Sequence, residues 1–338
     1  MTTPDSRNIV IGQHQIRPGE RRFIDLPLPP LYTHTSVSMP VHVINGKQPG
    51  PVLFVTATIH GDEINGIEVI RRLLDIKSLN RLKGALIAVP VVNVYGFVAQ
   101  SRYLPDRRDL NRSFPGSERG SMAARLADVF MQEIISQSTH GIDLHTAAAG
   151  RDNLPQVRID FNGSDQAREM ARAFSPPVIL DSAPGEGTLR AAVGDLPIIL
   201  YEAGEALRFN EIAIRVGVKG ILRVMRQLKM LPDLRRNEKQ SAPIFSEDSN
   251  WTRAPQSGIL RARVKLGDIV TAGETLGIVA DPFGEFEEAV ESDVAGIVIG
   301  MSNMPLVHEG EALFHIAKAG SAASAAQVVD AFQAEYDV

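Results

Sequence analysis

The 338-residue chain is 44% hydrophobic and 22% charged, with a formal net charge of −5; this profile suits a globular protein with one large and one smaller domain, at about 150 residues per domain. The acidic balance argues against a nucleic-acid partner, and no apolar run is long enough to span a membrane. There is no cysteine, which excludes disulfides and thiolate metal sites, and the N-terminal residues lack an apolar signal core, so the cytoplasm is the default expectation.

Residues 1–45 read as an N-terminal extension of short strands. In it Val37-Ser-Met-Pro-Val-His-Val-Ile44 alternates loosely and ends at the turn dipeptide Asn45-Gly46. His42, between Val41 and Val43, is expected on the solvent face of that strand. Residues 52–59 are short, β-branched and nearly uncharged, the pattern of a strand buried on both faces. Gly61 breaks the run and residues 67–74 show helical spacing, so His60 and Glu63 fall on a strand-to-helix turn. Three residues apart on such a turn, an imidazole and a carboxylate can converge on one ion, a donor pair suited to zinc.

The strand–helix pattern then repeats. Residues 85–92 form a second buried strand, and residues 122–135 a helix with apolar Leu126, Val129, Phe130 and Ile134. His140-Gly141 is expected to close that helix, a cation and a glycine at its negative end. Gly141-Ile-Asp-Leu-His145 reads as a brief strand. Further expected elements are a helix over 166–174, a strand over 176–180, a strand over 196–201 running into Glu202, and a helix over 210–228. Alternation of this kind predicts an α/β fold, a mostly parallel central sheet covered by helices.

His60 with Glu63, His145 and Glu202 each fall at the C-terminal end of an expected strand, where open α/β sheets bind ligands. His145 is the nominated third ligand of one zinc ion per chain, because a two-histidine, one-carboxylate set leaves a coordination position open, as a hydrolytic site requires. Asp143, two residues earlier on the same face, is a candidate outer partner. Glu202 is the candidate general base, with Glu205 as its local rival. The loop 101–116 carries Arg102, Arg107, Arg108 and Arg112 among Tyr103, Leu110 and Phe114. Guanidinium forks match carboxylates, so a cleft holding a metal and several of them would select a small anionic substrate.

Residues 46–240 make up the expected catalytic domain, and residues 231–250 turn polar, as a surface linker does. Residues 250–318 hold an internal repeat: Gly258-Ile-Leu followed by Val270-x-x-Gly273-Glu-x-Leu276 is echoed by Gly296-Ile-Val followed by Val307-x-x-Gly310-Glu-x-Leu313. Two such copies predict a small all-β module whose halves bury their apolar faces on each other. It resembles the barrel-sandwich modules that carry biotin or lipoate. No lysine lies between Lys265 and Lys318, so the carrier function is not expected, and His308 and His315 read as surface or packing residues. Residues 319–338 are left as a C-terminal tail.

His60-Gly-Asp-Glu63, Asp109-Leu-Asn-Arg112-Ser-Phe, Asp143-Leu-His145 and Tyr201-Glu202-Ala-Gly, in that order, resemble the succinylglutamate desuccinylase/aspartoacylase family, relatives of the zinc carboxypeptidases. The resemblance implies zinc held by His60, Glu63 and His145, with Glu202 activating water and Asn111 and Arg112 gripping a substrate carboxylate. It implies an arginine that polarises the scissile carbonyl; Arg102 is favoured and Arg108 stays open. The expected activity is a zinc-dependent deacylation that cleaves the amide bond of a small anionic N-acyl amino acid or a related amide by metal-activated water. The alternatives are a zinc carboxypeptidase and a non-catalytic metal-containing binding protein. Neither a nucleic acid nor a membrane is expected as partner, and homo-oligomerisation is left open.

Overall fold

A computed structural model describes residues 8–233, 242–320 and 322–336. Its centre is the apolar run that begins at Val52. The strand Gln48–Ala57 lies between Lys83–Val89 and His140–Ala147, parallel to both, and Ile198–Glu205 continues the parallel set beyond His140–Ala147. These strands carry side chains such as Leu53, Phe54, Val55, Leu86, Ile87, Ile142 and Ile199 that are fully buried. Such runs are apolar on both faces because both faces are covered.

Among the described residues the sheet has nine strands; most neighbouring pairs are parallel, as expected, but antiparallel pairs make it mixed. Gln156–Ile159 runs antiparallel to Ile198–Glu205, and on the other side Val37–Asn45 runs antiparallel to both Lys83–Val89 and Arg21–Leu28. Arg21–Leu28 and Val37–Asn45 are joined directly by residues 29–36, a short connection that antiparallel neighbours allow. The segment read as an N-terminal extension thus supplies two strands of the main sheet. At the far edge Ile244–Ser246, from the end of the stretch read as a linker, pairs in parallel with Val178–Asp181. The rest of that linker reading, residues 234–241, lies outside the described residues.

Helices cover both faces. Asn65–Leu74, Asp165–Phe174 and Glu211–Gln227 pack on one core, and Met122–Glu133 on the other. Their starts are capped by side chains that satisfy free backbone donors: Ser121 accepts from Ala124 N, Ser164 from Ala167 N and Asn210 from Ala213 N. The C-terminal tail contains a helix, Ala322–Tyr336, whose Phe332 and Tyr336 join the first core.

Two histidines differ from expectation. His42 is buried, not solvent-facing; Phe23 from the edge strand stacks over it at 3.9 Å, and burial pulls its pKa down, with Arg21 adding to the effect. His140 does not end a helix. The helix stops at Glu133, a 3-10 turn Ile135–Gln137 follows, and His140 is the first residue of its strand, bonded through Nδ1 to Thr139 Oγ1 at 2.8 Å.

The repeat in residues 258–313 appears as two equivalent sets of strands. Gly258–Ala262 pairs with Thr275–Ala280 and also with Leu306–Val307 from the second copy, while Gly296–Ser302 pairs with Ala312–Lys318 and with Ile269–Val270 from the first. Each copy therefore lends its short strand to the other's sheet, and one apolar cluster containing Leu260, Leu276, Val298 and Leu313 lies between them. His308 is exposed, and His315 is buried against Trp251, its ring stacked at 4.5 Å and 8°. Arg151–Asn153, a strand from the α/β body, pairs with Gly296–Ser302 and joins module to body. Among the described residues, no helix is long and apolar enough to cross a membrane.

Candidate active site

The chain leaves the central strand through Thr58, a β-branched residue in the left-handed region at φ 61°. That conformation costs about 1–3 kcal/mol; Thr58 Oγ1 donates to Pro90 O at 3.0 Å and helps hold it. The turn that follows packs so closely on the short helix Val94–Val98 that a Cβ on Gly61 would sit 2.0 Å from the Gly96 carbonyl carbon. This contact sets His60 and Glu63 at the head of the sheet.

His145 and Glu202 meet them there. Each is still inside its strand, which continues to Ala147 and Glu205 respectively, and the two are direct partners in the parallel register. Glu63 Oε1 lies 2.7 Å from His60 Nδ1 and its Oε2 2.7 Å from His145 Nδ1; Thr146 N donates to Oε2 at 3.1 Å. All three side chains are buried, and one ligand atom from each lies within 4.8 Å of the others. The opposite ring nitrogens face carboxylates as well: His145 Nε2 is 2.8 Å from Asp143 Oδ2 and His60 Nε2 is 3.2 Å from Asp109 Oδ1.

Charge at this cluster is strongly unbalanced toward needing a cation. Burial pushes the Glu63 carboxyl up, but the two imidazoles overcome it and hold it far below the usual carboxylate range. Burial pulls both histidines down, yet Glu63 and Asp109 raise His60 above its ordinary value, and Asp143 and Glu63 raise His145 well above it. The raised proton affinity of both rings marks a place that favours positive charge, which a divalent ion would supply. Two imidazoles and a carboxylate, each imidazole backed by a second carboxylate, fit zinc in donor type and in surroundings.

A cavity of about 370 Å³ opens over this cluster and is lined by Arg102, Asn111, Arg112 and Glu202. Arg102 bonds Asp109 Oδ2 through Nε (3.1 Å) and Nη2 (3.0 Å) and reaches within 3.5 Å of Glu63 Oε1. Arg108 is exposed and is not among the cavity-lining residues. Asn111 Oδ1 accepts from Leu189 N at 2.9 Å, which leaves its amide NH2 as the group to offer, and Arg112 donates to Asn111 O at 2.6 Å. Glu202 lies in the cavity wall, with Asn153 Nδ2 donating to its Oε2 at 2.6 Å and Arg158 3.3 Å from its Oε1. Glu205 is outside, tied to Gly150 N, Asn303 and Arg208.

Several lining residues were not nominated from sequence. Arg151, Asn153, Arg158, Arg190 and Trp251 all face the cavity. Arg158 had a readable signal, a guanidinium between the apolar Val157 and Ile159 of a strand. Arg190 had none, since it sits on a four-residue helix; burial and the nearby Arg158 pull its pKa below the usual arginine value. Trp251 comes from the β module, with the Arg151 guanidinium 5.3 Å over its ring.

Residues 49–228 match the family model described as the succinylglutamate desuccinylase/aspartoacylase catalytic domain. The chain is 28% identical over 262 residues to the N-alpha-acetyl-L-2,4-diaminobutyric acid deacetylase of Halomonas elongata, covering 73% of this chain and 75% of that protein. Its fold is similar to the crystal structure of a succinylglutamate desuccinylase/aspartoacylase from Rhodobacter sphaeroides, with TM-score 0.80, 23% identity and coverage of 90% and 97% of the two chains. It is equally similar to the product-bound ectoine utilization protein EutE of Ruegeria pomeroyi, with TM-score 0.80, 23% identity and coverage of 94% and 100%. With the model spanning the strands and turns that carry His60, Glu63, Asn111, Arg112, His145 and Glu202, the chain belongs to the succinylglutamate desuccinylase/aspartoacylase family.

Proposed function

We propose that this protein is a zinc-dependent amidohydrolase that removes the acyl group from a small N-acyl amino acid. The observation that carries the reading is the meeting, in one cavity, of a buried His60–Glu63–His145 donor set with the Glu202 carboxylate and a ring of guanidiniums. The deacetylase activity named for the Halomonas relative supports the same reaction class.

A zinc ion held by His60, Glu63 and His145 would supply Lewis acidity and make water acidic enough to lose a proton near neutral pH. The protein's own groups do the rest. Glu202 takes a proton from water and returns it to the leaving nitrogen, so that an amine rather than an amide anion departs. Arg102, held by Asp109 beside Glu63, faces the carbonyl oxygen as negative charge gathers on it. Asn111 NH2 and the Arg112 guanidinium hold the substrate carboxylate. Five arginines, Arg102, Arg112, Arg151, Arg158 and Arg190, line the cavity against three carboxylates, Glu63, Asp143 and Glu202, an excess that favours an anionic substrate. The cavity volume lies at the small end of the ~300–1,000 Å³ usual for small-molecule sites, and Trp251 of the module closes one wall. Both features favour a small amide over an extended peptide.

The test is a panel of N-acetyl and N-succinyl amino acids together with zinc analysis. At least one compound should be hydrolysed by zinc-loaded protein, and Glu202→Gln should lose more than about 10²-fold in kcat while binding zinc normally. Near-normal turnover by Glu202→Gln would remove Glu202 from its role, and a zinc-free protein inert on the whole panel would overturn the assignment.

A further inference from the structure

Resting on the reading of Glu202 as the proton-transferring group, we infer that Asn153 is a positioning residue for that carboxylate, and that Gly300 of the β module holds Asn153 in place. Asn153 is buried, and its Nδ2 donates to Glu202 Oε2 at 2.6 Å. The bond fixes one carboxylate oxygen, while Arg158 stands 3.3 Å from the other. A proton-transferring carboxylate must hold its aim within tenths of an ångström, and both contacts limit its swing.

Asn153 does not take its position from the α/β body alone. Its strand Arg151–Asn153 pairs with Gly296–Ser302 of the module, and Asn153 lies directly opposite Gly300. Leu154 N adds a bond to Ile299 O at 3.0 Å. Gly300 falls where the pairing of Gly296–Ser302 with Ala312–Lys318 shifts register. Its φ is not in the left-handed region, so the reason for glycine is space. A Cβ there would meet Asn153 Oδ1 at 2.8 Å and His315 Cβ at 3.2 Å. The first distance is shorter than real Cβ contacts, and the short, hydrogen-bonded asparagine amide is the group that must yield. The module therefore reaches the reaction through a chain of two contacts, Gly300 to Asn153 and Asn153 to Glu202, besides lending Trp251 to the cavity wall.

The experiment is a double-mutant cycle on the zinc-loaded full-length protein, using the N-acyl amino acid from the panel that it hydrolyses fastest. Gly300→Ala and Asn153→Ala should each lower kcat by about 10- to 100-fold with KM within about twofold of wild type, because the group they displace acts in the transition state and not in binding. The double variant should be no slower than Asn153→Ala, since removing the amide vacates the space that the alanine methyl needs. A crystal structure of Gly300→Ala should show the Asn153–Glu202 bond broken. Losses that multiply in the double variant, or that fall on KM, would overturn the inference. Should Gly300→Ala fail to fold, Asn153→Asp gives the decision alone: it keeps the shape, replaces the donor with a second carboxylate facing Glu202, and should cost about 10²-fold or more in kcat. An unchanged kcat there sinks the inference. Failure of this cycle while Glu202→Gln is inert leaves the hydrolase reading standing; activity in Glu202→Gln removes that reading itself.

Discussion

Glu63 is the residue on which the proposed metal chemistry turns, because it sits between two imidazoles whose other nitrogens face Asp143 and Asp109. Burial works against charge at both rings, but the flanking carboxylates prevail and raise their affinity for protons. A metal ion needs those nitrogens unprotonated and so competes with protons for them. Raised histidine values move that competition to higher pH. Zinc affinity should therefore climb as pH rises through and above the ordinary histidine range, and fall as it is lowered. Calorimetric titration of the metal-free protein with zinc at pH 7, in two buffers of different ionisation enthalpy, should show at least about one proton released per ion. No proton release would mean that the rings are neutral and that the carboxylates do not control them.

At the level of elements, the strand Gln48–Ala57, the turn after it and the helix Asn65–Leu74 form one device for presenting two candidate ligands. Its weak point is Gly61, pressed against the backbone of Gly96. Backbone cannot rotate aside as a side chain can, so Gly61→Ala must part the turn from the helix Val94–Val98. We expect a loss of about 1–3 kcal/mol of stability, the range for overpacking a well-packed site, and weaker zinc retention, because His60 and Glu63 ride on the displaced turn. Thermal unfolding and metal analysis of the variant measure both. Wild-type stability with full zinc content would show that the turn has room that the structure does not give it.

Across the whole molecule, the module and the body meet at Arg151–Asn153, Trp251 and His315. Burial drives the His315 pKa down to about 3, with the Arg158 charge adding to it, while Trp251 stacks on its ring and Nε2 meets Ser249 Oγ at 2.8 Å. The sign of the consequence follows from linkage. Unfolded histidine takes up a proton below pH about 6.5, whereas folded His315 stays neutral until about pH 3. The unfolded state binds more protons in that window, so stability from this residue is present above pH 6.5 and is lost progressively as pH falls toward 3. His315→Phe keeps a stacking ring and should flatten the acid side of the stability curve measured by denaturant unfolding between pH 4 and 7. An unchanged slope would place the acid sensitivity elsewhere.

The candidate donor group was legible because its chemistry is local: a buried apolar run followed by His60 and Glu63, a second ending at His145 and a third reaching Glu202 each announce a strand tip, and tips of parallel strands share one edge. The β repeat was legible for a similar reason, since each copy carries its own glycine turn and apolar strand. The mixed edges of the sheet were not, because parallel and antiparallel strands share the same alternation of residues and differ only in which neighbour they find. Sequence favoured Arg102 over Arg108 and Glu202 over Glu205 without deciding either, as each pair differs by where a loop or strand points a side chain. Arg190, Trp251 and the contact from Gly300 through Asn153 to Glu202 join segments far apart along the chain. Residue identity and spacing determined which chemical groups were present and which strand tip carried them; only the packing of body against module decided which of them face one cavity, because proximity across long sequence separations is a property of the folded surfaces and not of any local pattern.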